Sequence, residues 1–209
     1  MQQECSDFFS YRPIAKENIK NPQRLAGRFL LREILSNFLQ KKAHEIELKR
    51  SQTGKPELCE NWCKENKLSK LNFNSSHSED LVAVAVSQKH PVGIDVEIHR
   101  ADRDFEKIQK RVFSAKEKMA WQQLSPADKG PFFYKLWTLK ESLVKAHGIG
   151  LQMGLNRVER NEKTPSKQIF LNHPASNPLG GNPLYEKSNP HRYSLALSIV
   201  PERGQVNLS

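Results

Sequence analysis

Between residues 22 and 43 apolar side chains return at roughly helical intervals. Leu25, Phe29, Ile34 or Leu35, and Phe38 or Leu39 are separated by Arg24, Arg28, Arg32 and Glu33. That spacing predicts an amphipathic helix. Residues 45–50, EIELKR, alternate as a short strand does, and SQTGKP then breaks the run with a Gly and a Pro. LNFNSSH reads as a strand running into a loop. DLVAVAVS, residues 80–87, is the strongest buried-strand candidate. His90-Pro91 turns the chain into VGIDVEI, which predicts a hairpin-like pair of neighbouring strands.

The second half opens with a polar helical segment over residues 104–112. SAKEKMAWQQL, residues 114–124, begins with an S-x-x-E capping box, Ser114 to Glu117. A longer helix is predicted over residues 131–146, stopped by His147-Gly148-Ile149-Gly150. Residues 161–189 are rich in Pro, Asn, Lys and Gly and predict loops with a short strand at QIFL. RYSLALSIV, residues 192–200, is a final strand. One echo stands out: His77 leads into DLVAVAV much as His191 leads into YSLALSIV. Two similar α+β halves packed together would produce it.

The 209 residues suffice for one large domain or two small ones sharing an interface. No apolar run approaches the ~20 residues that span a bilayer. The first residues show neither a basic n-region nor a long apolar stretch, so the expected compartment is the cytoplasm. Three cysteines argue against a disulfide framework. Cys59 and Cys63 lack a second Cys/His pair to complete a zinc site and read as reduced thiols. A net charge of +10 attracts nucleic acid, anionic lipid, nucleotide phosphates or an acidic protein. Its basic residues are spread along the chain, with no tail-like block.

Three stretches carry candidate chemistry. In VGIDVEI, Asp95 and Glu97 are two apart on a strand and so share a face. Adjacent carboxylates repel unless a cation lies between them, and Mg²⁺ accepts oxygen ligands in that arrangement. A solvated strand face reads the same way. In WTLKESLVK, Trp137, Glu141 and Lys145 fall on one helix face at i, i+4 and i+8. A surface ion pair explains Glu141 and Lys145 equally well, but the helix is otherwise very apolar. In RSQTGKP and NFNSSHS, Gly54 permits close backbone approach, Arg50 and Lys55 bring charge, and Ser76 and His77 offer a hydroxyl and an imidazole.

Taken in order and spacing, these elements resemble the 4′-phosphopantetheinyl transferases of the surfactin-synthetase type. The matching pieces are AGR (26–28), GKP (54–56), FNSSHS (73–78), GIDVE (93–97), FSAKE (113–117) and WTLKESLVK followed by GIGL. The resemblance spans residues 25 to 155. It implies an α+β pseudo-dimer of two similar halves, residues 1–98 and 99–209, with coenzyme A in the cleft between them. It further implies Mg²⁺ ligation by Asp95, Glu97 and Glu141, and phosphate contact by Lys145. Arg50, Gly54, Lys55, Asn74, Ser76 and His77 would hold the nucleotide end. Relatives often carry a Gly near Glu79 and an apolar residue at the position of Ser75.

The implied reaction moves the phosphopantetheine arm of coenzyme A onto a serine of an apo carrier protein, releasing 3′,5′-ADP. Glu141 and Lys145 are the expected catalytic residues, with Mg²⁺ as cofactor. The basic charge then fits an acidic carrier as partner, with neither nucleic acid nor membrane, and a monomer suffices. The alternative is an inactive coenzyme A or carrier-protein binding protein of the same fold.

Overall fold

The apolar run after Asp80 has no polar face to offer solvent, and it becomes the central strand of a sheet covered on both sides. The computed structural model describes residues 8–13, 22–51, 54–68, 71–79, 81–100, 102–148, 154–158, 167–173 and 193–200. Strand β1 (Phe8–Pro13) and helix α1 (Pro22–Leu39) come first, then the two-stranded hairpin β2 (Leu48–Arg50) and β3 (Pro56–Leu58). A short helix α2 (Glu60–Glu65) leads to β4 (Asn72–Ser78), β5 (Leu81–Ser87) and β6 (Val92–Ile98). Three helices follow: α3 (Phe105–Val112), α4 (Ala115–Gln122) and α5 (Pro126–His147). A single 3₁₀ turn (Leu155–Arg157) and strands β7 (Lys167–His173) and β8 (Tyr193–Ile199) complete the order.

Two antiparallel three-stranded sheets result, β1-β5-β4 and β6-β8-β7. In each sheet the first strand is followed by intervening helices and then by two further sheet strands, the last of which lies in the centre; the β2–β3 hairpin is additional to the first half. The repeat anticipated from the LVAVAV and SLALSI runs is therefore one of connectivity, and those two runs are its central strands. His191 lies outside the described residues.

The expected hairpin of β5 with β6 does not form. β5 pairs with β1 and β4, whereas β6 pairs with β8. The change of sheet falls between β5 and β6, so Asp95 and Glu97 belong by hydrogen bonding to the second sheet, not to a first half ending at residue 98. Local apolar patterning shows that a strand is buried but not which strand lies beside it.

The Val/Ala alternation of β5 divides two cores. Val82, Val84 and Val86 pack with Leu30, Leu31, Ile34 and Leu35 of α1, Phe73 and Trp62. Ala83 and Ala85 instead meet Val92, Ile94 and Val96 of β6 and Leu195 and Leu197 of β8. Small side chains on that face let the second sheet approach closely. A third, aromatic cluster joins α3, α4 and α5 through Phe113, Trp121, Phe133 and Tyr134. Phe29, placed by its spacing on the apolar stripe of α1, is 65% exposed; Leu30 and Leu31 are buried instead.

The start of α4 and the end of α5 follow their sequence signals. Ser114 Oγ accepts from Glu117 N at 3.4 Å, and Glu117 Oε2 accepts from Ser114 N at 2.7 Å, the reciprocal capping box. α5 begins at Pro126, five residues earlier than its apolar pattern suggests, and ends at Gly148 with φ 70°. Strand β4 continues through His77 to Ser78, where LNFNSSH suggested a loop. The turn into β5 puts Glu79 at φ 48°, the conformation glycine adopts without cost. Among the described residues no helix is long and apolar enough to cross a membrane.

Candidate active site between the two sheets

The edge strands β4 and β6 run side by side in the same direction, joined through short side chains of β4. Ile94 N donates to Asn74 Oδ1 at 3.1 Å, and Ile98 N donates to Ser78 Oγ at 3.0 Å. Ser76 Oγ donates to Asp95 Oδ1 at 2.8 Å, and Ser78 Oγ lies 3.3 Å from Glu97 Oε2. N-x-S-x-S places all three side chains on one face of β4. The seam therefore carries the acidic pair of β6.

Helix α5 lies across β6 at Gly93. A Cβ there would sit 2.0 Å from the Ser142 carbonyl oxygen and 2.3 Å from Ala146 N. This approach brings Lys145 Nζ to 2.6 Å from Asp95 Oδ1 and 3.1 Å from Ser76 Oγ. The other Asp95 oxygen, Oδ2, is buried without a hydrogen-bond partner. Glu97 Oε2 faces Arg103 Nη1 at 3.7 Å. The Arg103 guanidinium in turn lies over Phe133, Tyr134 and Trp137, 5.4–5.9 Å from the ring centres.

Burial pushes all three carboxyls of this cluster upward. Asp95 is raised by desolvation against the pull of Lys145 and Ser76. Glu97 is raised by desolvation and by Asp95. Glu141 is raised to about 7, chiefly by desolvation and then by Asp95 and Glu97, with Lys145 opposing. Because the folded protein holds the Glu141 proton more tightly than the unfolded chain, stability falls as pH rises from about 4.5 to about 7. Thermal melts in EDTA should show this fall, roughly 1.4 kcal/mol per pH unit for one proton. A melting temperature that rises through the same window would contradict it.

Beside the seam lies a cleft of about 320 Å³, bounded by α1, the β2–β3 hairpin and β4. Arg28, Arg32, Lys49 and Arg50 give it a basic wall, while Ser75, Ser76 and His77 form another. Of the residues expected at the nucleotide end, Arg50, Ser76 and His77 line this cleft. Gly54, at φ 83°, shapes the hairpin loop, where Arg50 Nη1 donates to its carbonyl at 2.8 Å. Lys55 lines a neighbouring cavity, and its Nζ donates to the Lys145 carbonyl at 3.3 Å, near the C-terminal end of α5. Asn74 is buried, with its side-chain oxygen in the seam.

Sequence reasoning passed over Ser78, Arg103 and Lys140. Ser78 was legible in the N-x-S-x-S alternation. Arg103 gives no local signal. Lys140, buried beside Glu141, donates to the Val112 carbonyl at 2.9 Å, the Leu155 carbonyl at 3.1 Å and Glu117 Oε2 at 2.6 Å. It ties α5 to the end of α3, the cap of α4 and the 3₁₀ turn.

Comparison with known proteins gives the family. Residues 91–197, more than half of the chain, match the model of the 4′-phosphopantetheinyl transferase superfamily. The chain belongs to that superfamily. Residues 11–89 match a second model, 4′-phosphopantetheinyl transferase, N-terminal, so the two matches meet between β5 and β6. Among transferase relatives, the 4′-phosphopantetheinyl transferase HetI of Nostoc sp. is 35% identical over 126 residues, 60% of this chain and 52% of HetI. The human L-aminoadipate-semialdehyde dehydrogenase-phosphopantetheinyl transferase is 34% identical over 147 residues, 65% of this chain and 45% of the human protein. The 4′-phosphopantetheinyl transferase gsp of Aneurinibacillus migulanus is 32% identical over 148 residues, covering 69% and 57%. The chain spans about half the length of the curated relatives it matches.

Among the described residues no three His, Cys, Asp or Glu side chains form a ready metal-binding group. The donor set nevertheless suits a hard cation. Asp95 Oδ2 is an orphaned buried acceptor, all three carboxyls are destabilised as anions by burial, and Glu97 and Glu141 are destabilised further by their acidic neighbours.

Proposed function

We propose that this chain transfers 4′-phosphopantetheine from coenzyme A to a serine of an acidic apo carrier protein, yielding holo carrier and 3′,5′-ADP. The observation that carries this reading is the meeting of Asp95, Lys145 and Ser76 across the seam, beside a basic cleft. The cleft's Arg28, Arg50 and His77 would hold the nucleotide phosphates. Asp95, Glu97 and Glu141 would hold Mg²⁺, which when bound offsets charge on the pyrophosphate oxygens.

Glu141, whose carboxyl burial raises to about 7 with no metal bound, would be the group that takes the proton from the carrier serine. The serine oxygen bonds to the β-phosphorus as the bond from that phosphorus to the bridging oxygen breaks. The electron pair leaves with 3′,5′-ADP. Lys145 Nζ, already held at the seam, would balance the charge that develops there. The +10 charge would draw an acidic carrier to the cleft, and a cytoplasmic location belongs to the same proposal.

Mass spectrometry of an apo acyl carrier protein incubated with the chain, coenzyme A and Mg²⁺ tests the reaction. The expected result is a carrier one phosphopantetheine heavier, with Glu141→Ala and EDTA each abolishing the gain. Acyl, peptidyl and aryl carriers all left unmodified, while coenzyme A still binds, would convert the chain into a binding protein.

A further inference from the structure

The two seam serines share a wiring that the reading of Ser76 as a nucleotide contact leaves unused. A hydroxyl has one proton to give and two lone pairs to receive. Lys145 Nζ, 3.1 Å from Ser76 Oγ, has only protons to give, so the hydroxyl proton is left for Asp95 Oδ1 at 2.8 Å. At Ser78 the Ile98 backbone N–H is the donor to Oγ at 3.0 Å, and the hydroxyl donates in turn to Glu97 Oε2 at 3.3 Å. Each serine thus receives from a fixed donor and offers its proton to one carboxylate of the D-x-E strand.

Asp95 Oδ1 is fully engaged by Ser76 and Lys145, while Oδ2 is buried and unpaired. We propose that Ser76 is a positioning residue for Asp95, and Ser78 for Glu97, fixing one oxygen of each so that the other is presented to the divalent cation. The idea rests on the Mg²⁺ reading above. It assigns the serines of NSSHS to the metal side of the seam, even though Ser76 also borders the cleft. Ordering a ligand through a hydrogen bond from behind is how outer-shell groups tune metal affinity.

Calorimetric titration with Mg²⁺ alone, and separately with coenzyme A in EDTA, distinguishes the two sides. Ser76→Ala should weaken Mg²⁺ binding about tenfold, the low end for lost outer-shell partners, and leave coenzyme A binding in EDTA unchanged. Ser76→Thr, which keeps the hydroxyl, should restore Mg²⁺ affinity. In steady-state assays Ser76→Ala should lower kcat at a fixed subsaturating Mg²⁺ concentration, with KM for coenzyme A little moved. Should the alanine variant not fold, Ser76→Cys keeps the volume with a much weaker donor and takes its place. Weakened coenzyme A binding in EDTA with Mg²⁺ affinity intact would overturn the proposal and make Ser76 a nucleotide contact. Wild-type protein that binds no Mg²⁺, even with coenzyme A present, would remove the metal reading and this proposal with it.

Discussion

Gly93→Ala should leave little folded protein. The added methyl would lie 2.0 Å from one backbone atom of α5 and 2.3 Å from another, and neither can rotate away as a side chain would. Relief requires the helix to retreat from β6 along its length. The contact is buried on both sides, between the second sheet and the helix that covers it. Overpacking of this kind costs typically 1–3 kcal/mol where side chains can adjust, and here the cost should exceed about 4 kcal/mol. The same retreat would pull Lys145 away from Asp95, so any folded remainder should also be inactive. Thermal denaturation of the purified variant checks this; a melting temperature and transfer activity matching the parent would show that the helix yields cheaply.

Lys140→Met carries the second large effect. Methionine fills much of the same space but leaves the Val112 and Leu155 carbonyls unmet and the Glu117 carboxylate without its buried cation. Breaking one side of a buried pair costs about 3–5 kcal/mol. For a protein of this size each kcal/mol shifts melting by roughly 2–4 °C, so a fall of about 10 °C is expected. Replacing Glu117 with Gln in the same chain should recover part of the loss, because the stranded charge is then gone. Additive losses in the double variant, or a single-variant loss under about 1 kcal/mol, would show that the clamp contributes little.

Much of the site could be read from the chain because its chemistry is local. Asp95 and Glu97 share a strand face by the period of two, and Glu141 and Lys145 share a helix face by the period of four. Ser114 and Glu117 announce their cap by spacing alone. What could not be read is set by distant partners. β5 and β6 are adjacent in sequence and both apolar, yet they lie in different sheets because each finds its ladder elsewhere. Lys140 has the sequence profile of a solvated lysine and is buried only because three acceptors at loop and helix ends converge on it. Asn74 reads from the sequence as a ligand contact, and only the fold shows that its Oδ1 accepts from Ile94 N. Phe29 falls on a helical spacing that fits the core, yet the buried stripe runs through Leu30 and Leu31.

The repeated connectivity has a further meaning for stoichiometry. β1 lies against β5 as β6 lies against β8, so positions can be matched across the central strands. Asp95 stands opposite Ala196 and Glu97 opposite Ser194, the fourth and second residues of β8. The corresponding residues of β5 are Val84 and Val82, and opposite them β1 carries Ser10 and Arg12. The scaffold is duplicated while the acidic pair occurs once, with a serine and an arginine at the matching places. The two halves are thus unequal partners: one donates the carboxylates, and the other supplies the serines that hold them and the basic cleft beside them.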